Sequence, residues 1–218
     1  MRRMIRGSTL VVRMRLGFLG PRNIHAEDAV VEYAADFLLH DAKVDRAIYL
    51  GIDDALERVV ASWAQRLVGD DPTDRGAWRK ARDLSLKGSF GDIDAFVAAQ
   101  RTRLRLRALE SLPQRIWRTI EMVGDRVAVL VHDKALLDEE DILSASLLVY
   151  GKSDIPLTKK IGTRWFMTPG ELSDTGGVVV LDDAKEEIEV SLFDQTGALI
   201  RTETLAMPRS STMRVQGM

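Results

Sequence analysis

The chain has 218 residues and a formal net charge of −2, and 45% of its residues are hydrophobic and 29% are charged. This length and composition predict one globular domain with its own core, and the near-neutral charge gives no reason to expect nucleic acid or a membrane as partner. The absence of cysteine excludes disulfides, thiolate metal sites and cysteine nucleophiles. It suits a cytoplasmic location, which is where we expect this chain.

The charges are distributed unevenly along the sequence. Residues 1–120 contain 21 Lys and Arg against 16 Asp and Glu, whereas residues 121–200 contain 7 against 16. This asymmetry is compatible with an internal interface or with a basic docking face. No stretch approaches the ~18 uninterrupted apolar residues that a membrane-spanning helix needs.

The first part of the chain alternates predicted strands and helices. Strands are predicted in "LVVRMRLGFLG" (10–20) and "RAIYLG" (46–51), and helices in "AEDAVVEYAADFLLHDA" (26–42) and "IDDALERVVASWAQRLVG" (52–69). The apolar face of the first helix is read from spacings of three and four residues, at Ala29, Val30, Tyr33, Ala34, Phe37 and Leu38. Strands and helices in this order, with short connections, predict right-handed crossovers and a parallel sheet.

Residues 72–116 are predicted to be mostly helical. Within "DIDAFVAAQRTRLRLRALESLPQRI" (92–116), the core "RTRLRLRA" also alternates as a half-buried strand would. We favour a helix because the flanks are rich in Ala, Leu, Gln and Glu.

The second half begins as α/β and then becomes rich in β-structure. "RVAVLVH" (126–132) and "LLVYG" (147–151) are predicted strands, with a helix in "ALLDEEDILSAS" (135–146) between them. Glycines and acidic turns then divide short strands, which predicts an antiparallel meander for the last third. In parallel sheets, ligands bind in the loops that follow the strands. In this chain these loops are residues 20–26, 51–54, 69–74, 132–136 and 151–156.

A series of short motifs lies in these loops and just after them. In chain order they are "NIH" (23–25), "YLGIDDAL" (49–56), "LVGDD" (67–71), "LVHD" (130–133), "GKSDIP" (151–156) and "TPGE" (168–171). Their order and surroundings resemble those of the calcineurin-like metallophosphoesterases, in particular the small bacterial phosphodiesterases. The resemblance implies one domain over residues 1–218 with a four-layer α/β/β/α sandwich. It also implies an N-terminal extension (1–13), a helical insertion at about 73–110 and a C-terminal tail (207–218).

The same resemblance implies that the metal site of this family is degenerate here. Two closely spaced metal ions need a carboxylate that bridges them, and the position of that aspartate in the family is Ile52. Asp53 and Asp54 follow, and we expect them at the N-terminus of the next helix, where carboxylates are favourable. The remaining cleft positions that the family pattern marks are Asn23, His25, Asp70, His132, Lys152 and Asp154.

Lys152 stands where the family has a metal-binding histidine. Its ammonium group would repel a metal ion, and we expect it to neutralise Asp70 or Asp154 instead. His25 and His132 remain, and they are read either as ordinary hydrogen-bonding groups or as ligands of one zinc or manganese ion with Asn23, Asp70 or Asp154.

These substitutions predict a catalytically inactive protein of metallophosphoesterase-like fold that acts through protein–protein interaction. We expect no catalytic residue, no metal and no other cofactor. Two alternatives stay open: a divergent phosphodiesterase that uses a single metal ion, and a metal-free binder of a phosphorylated small molecule near Lys152.

Four arginines in the predicted insertion form a second candidate surface. Arg101, Arg103, Arg105 and Arg107 alternate with other residues over a short stretch. They are read either as a docking surface for acidic or phosphate-bearing partners or as a solvated helix face whose arginines pair with the acidic C-terminal half or with another subunit. Few aromatic residues surround them, so we do not expect nucleic acid. The expected partner is another protein or a second copy of this chain.

Overall fold

The computed structural model describes residues 14–69, 73–183 and 187–206. The expected N-terminal extension and C-terminal tail, and Asp70, lie outside the described residues. The strands are β1 (Arg15–Leu19), β2 (Arg46–Tyr49), β3 (Leu109–Ser111), β4 (Arg118–Val123), β5 (Arg126–Val131), β6 (Leu147–Tyr150), β7 (Leu157–Ile161), β8 (Arg164–Thr168), β9 (Val178–Asp182), β10 (Ile188–Phe193) and β11 (Leu199–Leu205). The helices are α1 (Asp28–His40), α2 (Ala55–Val68), α3 (Asp74–Lys87), α4 (Phe90–Arg105) and α5 (Glu139–Ser144).

The strands form two sheets. The first sheet has the order β11-β10-β9-β1-β2-β3, in which β1, β2 and β3 are parallel and β9, β10 and β11 antiparallel. The second has the order β4-β5-β6-β8-β7, with β5, β6 and β8 parallel and an antiparallel strand at each edge. The predicted parallel pairing is confirmed for β1 with β2 and for β5 with β6.

The two sheets pack face to face, and helices cover their outer faces. Phe18 and Ile48 of the first sheet contact the same buried cluster as Leu130 and Val149 of the second. Helices α1 and α2 cover the other face of the first sheet. The outer face of the second sheet packs against Ala145, which follows α5. This four-layer α/β/β/α order confirms the predicted fold class.

The buried face of α1 differs from the predicted one. Ala34 and Leu38 are buried as expected, but Tyr33 is 69% exposed, and Val31 and Ala35 are fully buried. Because α1 is apolar on adjoining faces, the three- and four-residue spacing fits more than one rotation about the helix axis. Contact with the sheet selects one of them, and the sequence alone does not.

The predicted helical region from residue 73 is confirmed through Arg105. The Thr73 side chain accepts a hydrogen bond from the Gly76 N–H at the start of α3. Ser89 and Asp92 cap α4 reciprocally, each side chain accepting from the backbone N–H of the other. The chain then returns to the first sheet as β3, a three-residue strand too short to show a pattern in the sequence. None of the helices in the described ranges is both long and apolar enough to cross a membrane.

The last third of the chain is not one antiparallel meander, and that prediction is wrong. β9, β10 and β11 do form a meander, but β7 and β8 belong to the other sheet, where β8 runs parallel to β6. Strand signals in a sequence give the position of a strand and not the sheet it joins. Strands β3, β4, β7 and β11 were not predicted.

Removal of a side chain between the sheets tests this packing. Leu130 is fully buried, so we expect Leu130→Ala to lower the free energy of unfolding by about 2–5 kcal/mol through lost burial and a residual cavity. Leu199 is 60% exposed, and Leu199→Ala should change the same quantity by no more than about 0.5 kcal/mol. Urea unfolding of the two variants measures both, and equal losses would contradict the sandwich.

Candidate functional site

A cleft lies at the carboxyl ends of the central strands of both sheets, where the sequence predicted a site. Its volume is about 410 Å³. Five of the predicted positions line it, namely Asn23, Ile52, His132, Lys152 and Asp154. The structure therefore brings together residues from four separate loops.

Two glycines let the loops after β2 and β6 approach each other. A Cβ atom on Gly51 would lie 2.3 Å from the ring of Tyr49, and one on Gly151 would lie 2.4 Å from the carbonyl oxygen of Leu50. Such short Cβ contacts are essentially never seen, so another residue at position 51 would displace the Tyr49 ring, and one at position 151 would displace the backbone of the β2 loop. These glycines set the floor of the cleft.

His132 joins the two sheets at this floor. Its Nδ1 lies 2.8 Å from the carbonyl oxygen of Leu50, the residue that follows β2. A carbonyl oxygen only accepts, so Nδ1 carries the proton in this contact. The His132 carbonyl in turn accepts hydrogen bonds from the backbone N–H groups of Gly151 (3.0 Å) and Lys152 (2.6 Å).

Asn23 is held by neighbours within the protein. Its side-chain Nδ2 donates to Oε2 of Glu171 at 3.1 Å, and its Oδ1 accepts from the backbone N–H of His25 at 3.0 Å. The His25 side chain is exposed and is not among the residues that line the cleft. The two histidines that survive from the family pattern therefore do not face one another across the cleft.

Lys152 forms an ion pair with Asp133. Its Nζ lies 2.6 Å from Oδ2 of Asp133, so the expected pairing with Asp154 is replaced by one with the residue after His132. The backbone N–H of Ala135 and the ammonium group of Lys152 together lower the pKa of Asp133. Asp133 stays ionised, and Lys152 keeps a fixed anionic partner. Asp133 was not predicted as the partner because it is not one of the positions that the motif resemblance marks.

Ile52 lines the cleft and is 53% exposed. The carboxylate of Asp53, one residue later, accepts hydrogen bonds from Nε of Arg22 at 2.9 Å and from the hydroxyl of Tyr49 at 2.8 Å. Burial raises the pKa of Tyr49, so its hydroxyl stays protonated and can donate. Asp53 and Asp54 directly precede α2, as expected.

These residues do not fit a two-metal centre. Ile52, where the motif resemblance predicts a bridging carboxylate, has a hydrocarbon side chain, and Lys152 brings a cation where it predicts a histidine ligand. Asp53 and Asn23 already serve Arg22 and Glu171. Among the described residues, no three His, Asp or Glu side chains are grouped so that they could hold a metal ion.

The four arginines at 101–107 do not form one free surface. Arg103 and Arg107 both bind Asp74 of α3, at 2.7 Å and 2.9 Å. Arg105 donates to the backbone carbonyl of Val44 at 3.1 Å. Arg101 is exposed. Three of the four thus make contacts within the chain, and their partners Asp74 and Val44 lie in its first half and not in the acidic C-terminal half that was expected.

The sequence analysis did not single out Arg22, Asp133 or Glu171. Arg22 and Glu171 line the cleft, and Asp133 anchors Lys152. Asp133 and Glu171 lie in the motifs "LVHD" and "TPGE". They were not predicted as site residues because only the positions of possible metal ligands were considered in those motifs. A search for carboxylates that could partner each cleft cation would have found Asp133.

The chain was compared with known families, curated proteins and solved structures. No family model matches it, and no curated protein matches it. Among solved structures it is similar to a predicted phosphoesterase from Streptococcus pneumoniae, with 12% identity, a TM-score of 0.49 and coverage of 89% of this chain and 99% of that one. It is also similar to Vps29 from Chaetomium thermophilum, with 14% identity, a TM-score of 0.49 and coverage of 90% of this chain and 100% of that one. For Vps29 from Entamoeba histolytica complexed with zinc, the identity is 14%, the TM-score is 0.48, and the match covers 88% of this chain and 98% of that one.

At such identities and TM-scores, these similarities assign no activity and no residue role. The resemblance read from the motifs holds for the fold. That statement rests on the sheet order and the four layers of the structure.

The anchoring of Lys152 can be tested by titration. In Lys152→Met we expect the pKa of Asp133 to rise, yet to stay below its ordinary 3.8 because the Ala135 N–H still donates to it. Since the pKa is lowered in the folded state, the pair stabilises the fold above the ordinary pKa and loses that effect as pH falls through the lowered one. Carboxyl-carbon NMR measures the shift, with Lys159→Met as the matched control. A shift at Asp154 instead of Asp133 would contradict the assignment.

Proposed function

We propose that this chain is a non-catalytic protein of metallophosphoesterase-like fold, and that it binds another protein over its cleft. The observation that carries the proposal is the pairing inside the cleft. Arg22 binds Asp53, and Lys152 binds Asp133, so organic cations neutralise carboxylates beside the position that family members give to metal ions. Two of the carboxylates at the cleft are therefore neutralised without a cofactor.

The rim of the cleft carries apolar side chains that suit a protein partner. Ile24 is 83% exposed and Ile52 53%, and both line the cleft. Ile155, which follows the lining residue Asp154, is 68% exposed. Clustered apolar groups with a charged surround are typical of protein interaction sites.

A phosphorylated small molecule fits this cleft less well. Both cations that line it, Arg22 and Lys152, are already committed to carboxylates. The carboxylates of Asp154 and Glu171 also line it and would repel a phosphate.

A single-metal phosphodiesterase is the second candidate, and one observation favours it. The Nδ1 atom of His132 is occupied by the Leu50 carbonyl oxygen, which is how metal-binding histidines are commonly oriented, with Nε2 left for the ion. In that reading Asp154 of the same cleft would supply an oxygen ligand, and the ion would activate water for attack on a phosphodiester. Asn23 has little to offer it, since its side-chain amide already bonds Glu171 and the His25 N–H.

The binding proposal is tested by placing charge on the rim. We expect the tagged wild-type chain to retain a stoichiometric protein partner from cells of its source, and Ile24→Lys/Ile52→Lys to lose that partner because the partner would have to bury two ammonium groups. Leu199→Lys changes an equally exposed apolar residue on the edge strand β11, away from the cleft, and should retain it. Recovery of no partner by the wild type, or retention by the rim variant, would overturn the proposal.

Restoring the missing ligands gives an independent prediction. Ile52→Asp/Lys152→His supplies a carboxylate at the bridging position and removes the cation. We expect this variant to melt at a higher temperature in excess manganese or zinc. At a metal concentration one hundred times the dissociation constant, binding raises the free energy of unfolding by about 2.7 kcal/mol. The wild type should show no such shift in the same differential scanning experiment. A shift of equal size in the wild type would support the single-metal alternative.

A further inference from the structure

Helix α3 carries a mixed basic and apolar stripe. Arg75, Trp78, Arg82 and Leu86 are spaced by three, four and four residues, which places them along one side of the helix. All four are exposed, Trp78 by 76% and Leu86 by 74%. These four residues are called the α3 stripe.

Within the described part of the chain, Arg82 of this stripe forms an ion pair with its neighbour Asp83, at 2.8 Å between two exposed side chains, and such surface pairs contribute little to stability. Helix α3 packs against α4, yet no residue of α3 with a described side chain is buried. A 14-residue helix is marginal on its own in water, and an exposed tryptophan between arginines is the composition of an interaction hot spot. Phe90, which begins α4 just beyond α3, adds a further apolar group that is 85% exposed.

Helix α5 carries a surface of the opposite kind. Glu139 and Glu140 lie one turn before Leu143, on either side of it, and all three are exposed, Leu143 by 64%. Leu136, in the short turn before the helix, is 47% exposed. The residues Glu139, Glu140 and Leu143 are called the α5 face.

We propose that the α3 stripe of one copy of this chain docks on the α5 face of a second copy. In the stripe Trp78 lies between Arg75 and Arg82 along the helix, and in the face Leu143 lies one turn beyond two adjacent glutamates. Docking would place Trp78 against Leu143, with the arginines near the two carboxylates. The two surfaces are complementary in charge, and each offers an exposed apolar side chain beside its charges.

The two surfaces belong to opposite outer layers of the sandwich. Helix α5 adjoins the outer face of the second sheet, whereas α3 packs on α4, which packs on α2 over the first sheet. Both sheets therefore separate the two surfaces within one chain, and contact between them requires a second copy.

A copy of this chain fits the stripe better than an anionic membrane does. Helices that lie on bilayers segregate apolar residues on one side and cations on the other. Here the cations and the apolar side chains share one side, so insertion of Trp78 would carry Arg75 and Arg82 toward the hydrocarbon.

The inference goes beyond the proposed function because it uses none of the cleft residues. Loss of self-association would leave the proposed binding at the cleft untouched, and loss of the cleft partner would leave self-association untouched.

The test is the mass of the full-length chain in solution. By sedimentation velocity over a range of protein concentrations, we expect reversible self-association that weakens between about 50 mM and about 500 mM salt. Arg75→Glu/Arg82→Glu and Glu139→Arg/Glu140→Arg should each raise the dissociation constant by about tenfold or more through like-charge contact. An equimolar mixture of the two variants should associate again, because each then offers the charge that the other needs.

Matched controls separate this contact from effects of net charge and folding. Lys80→Glu/Lys87→Glu makes the same charge change on another side of α3 and should leave association intact. Circular dichroism verifies that each variant is folded. If Glu139→Arg/Glu140→Arg unfolds, Leu143→Ala takes its place as the variant of the α5 face. A monomeric wild type at every concentration, equal loss in the lysine control, or failure of the mixture to associate would each overturn the proposal. Cosedimentation of a monomeric wild type with phosphatidylserine vesicles would overturn it in favour of a membrane.

Discussion

The site depends on the close contact between the two sheets at the carboxyl ends of their central strands. The Leu50 carbonyl, just beyond β2, accepts a hydrogen bond from His132, just beyond β5, at 2.8 Å. Gly151, just beyond β6, lies so near the same carbonyl that a Cβ atom would be 2.4 Å away. One backbone carbonyl thus fixes three loops from two sheets, and this contact sets where Ile52 and Lys152 can lie.

Two of the carboxylates around that contact are paired with cations of the chain itself. A two-metal centre, whose ions lie about 3.5–4 Å apart, requires several carboxylates, one of which bridges the two ions. Here Ile52 stands where the motif resemblance predicts the bridging carboxylate, and Lys152 pairs with Asp133. In the proposed function these two residues are compatible, because a lysine without a metal ion nearby meets no repulsion, and a site without a bridging carboxylate needs no second ion. The rim of the cleft carries exposed isoleucine side chains.

Much of this could be predicted from sequence, for definite physical reasons. Buried strands that run into glycine loops, such as "LLVYG", identified the sheets and the cleft positions, because a parallel strand and its following loop are continuous in sequence. The pairing of Lys152 was predicted with the wrong carboxylate, because the choice between Asp133 and Asp154 is made by loop geometry in three dimensions. The predictions of the sheet that β8 joins and of the buried face of α1 were wrong for the same reason. Both depend on packing between elements distant in sequence.

Elemental analysis of metal in the native chain, purified without chelators and then exposed to manganese and zinc, tests most directly whether the cleft holds a metal ion. We expect a metal content near zero before and after exposure, because Asp53 and Asp133 are already paired with Arg22 and Lys152 and position 52 carries no carboxylate. About one ion per chain, lost in His132→Ala but kept in His40→Ala, would contradict it and establish the cleft as a single-metal site.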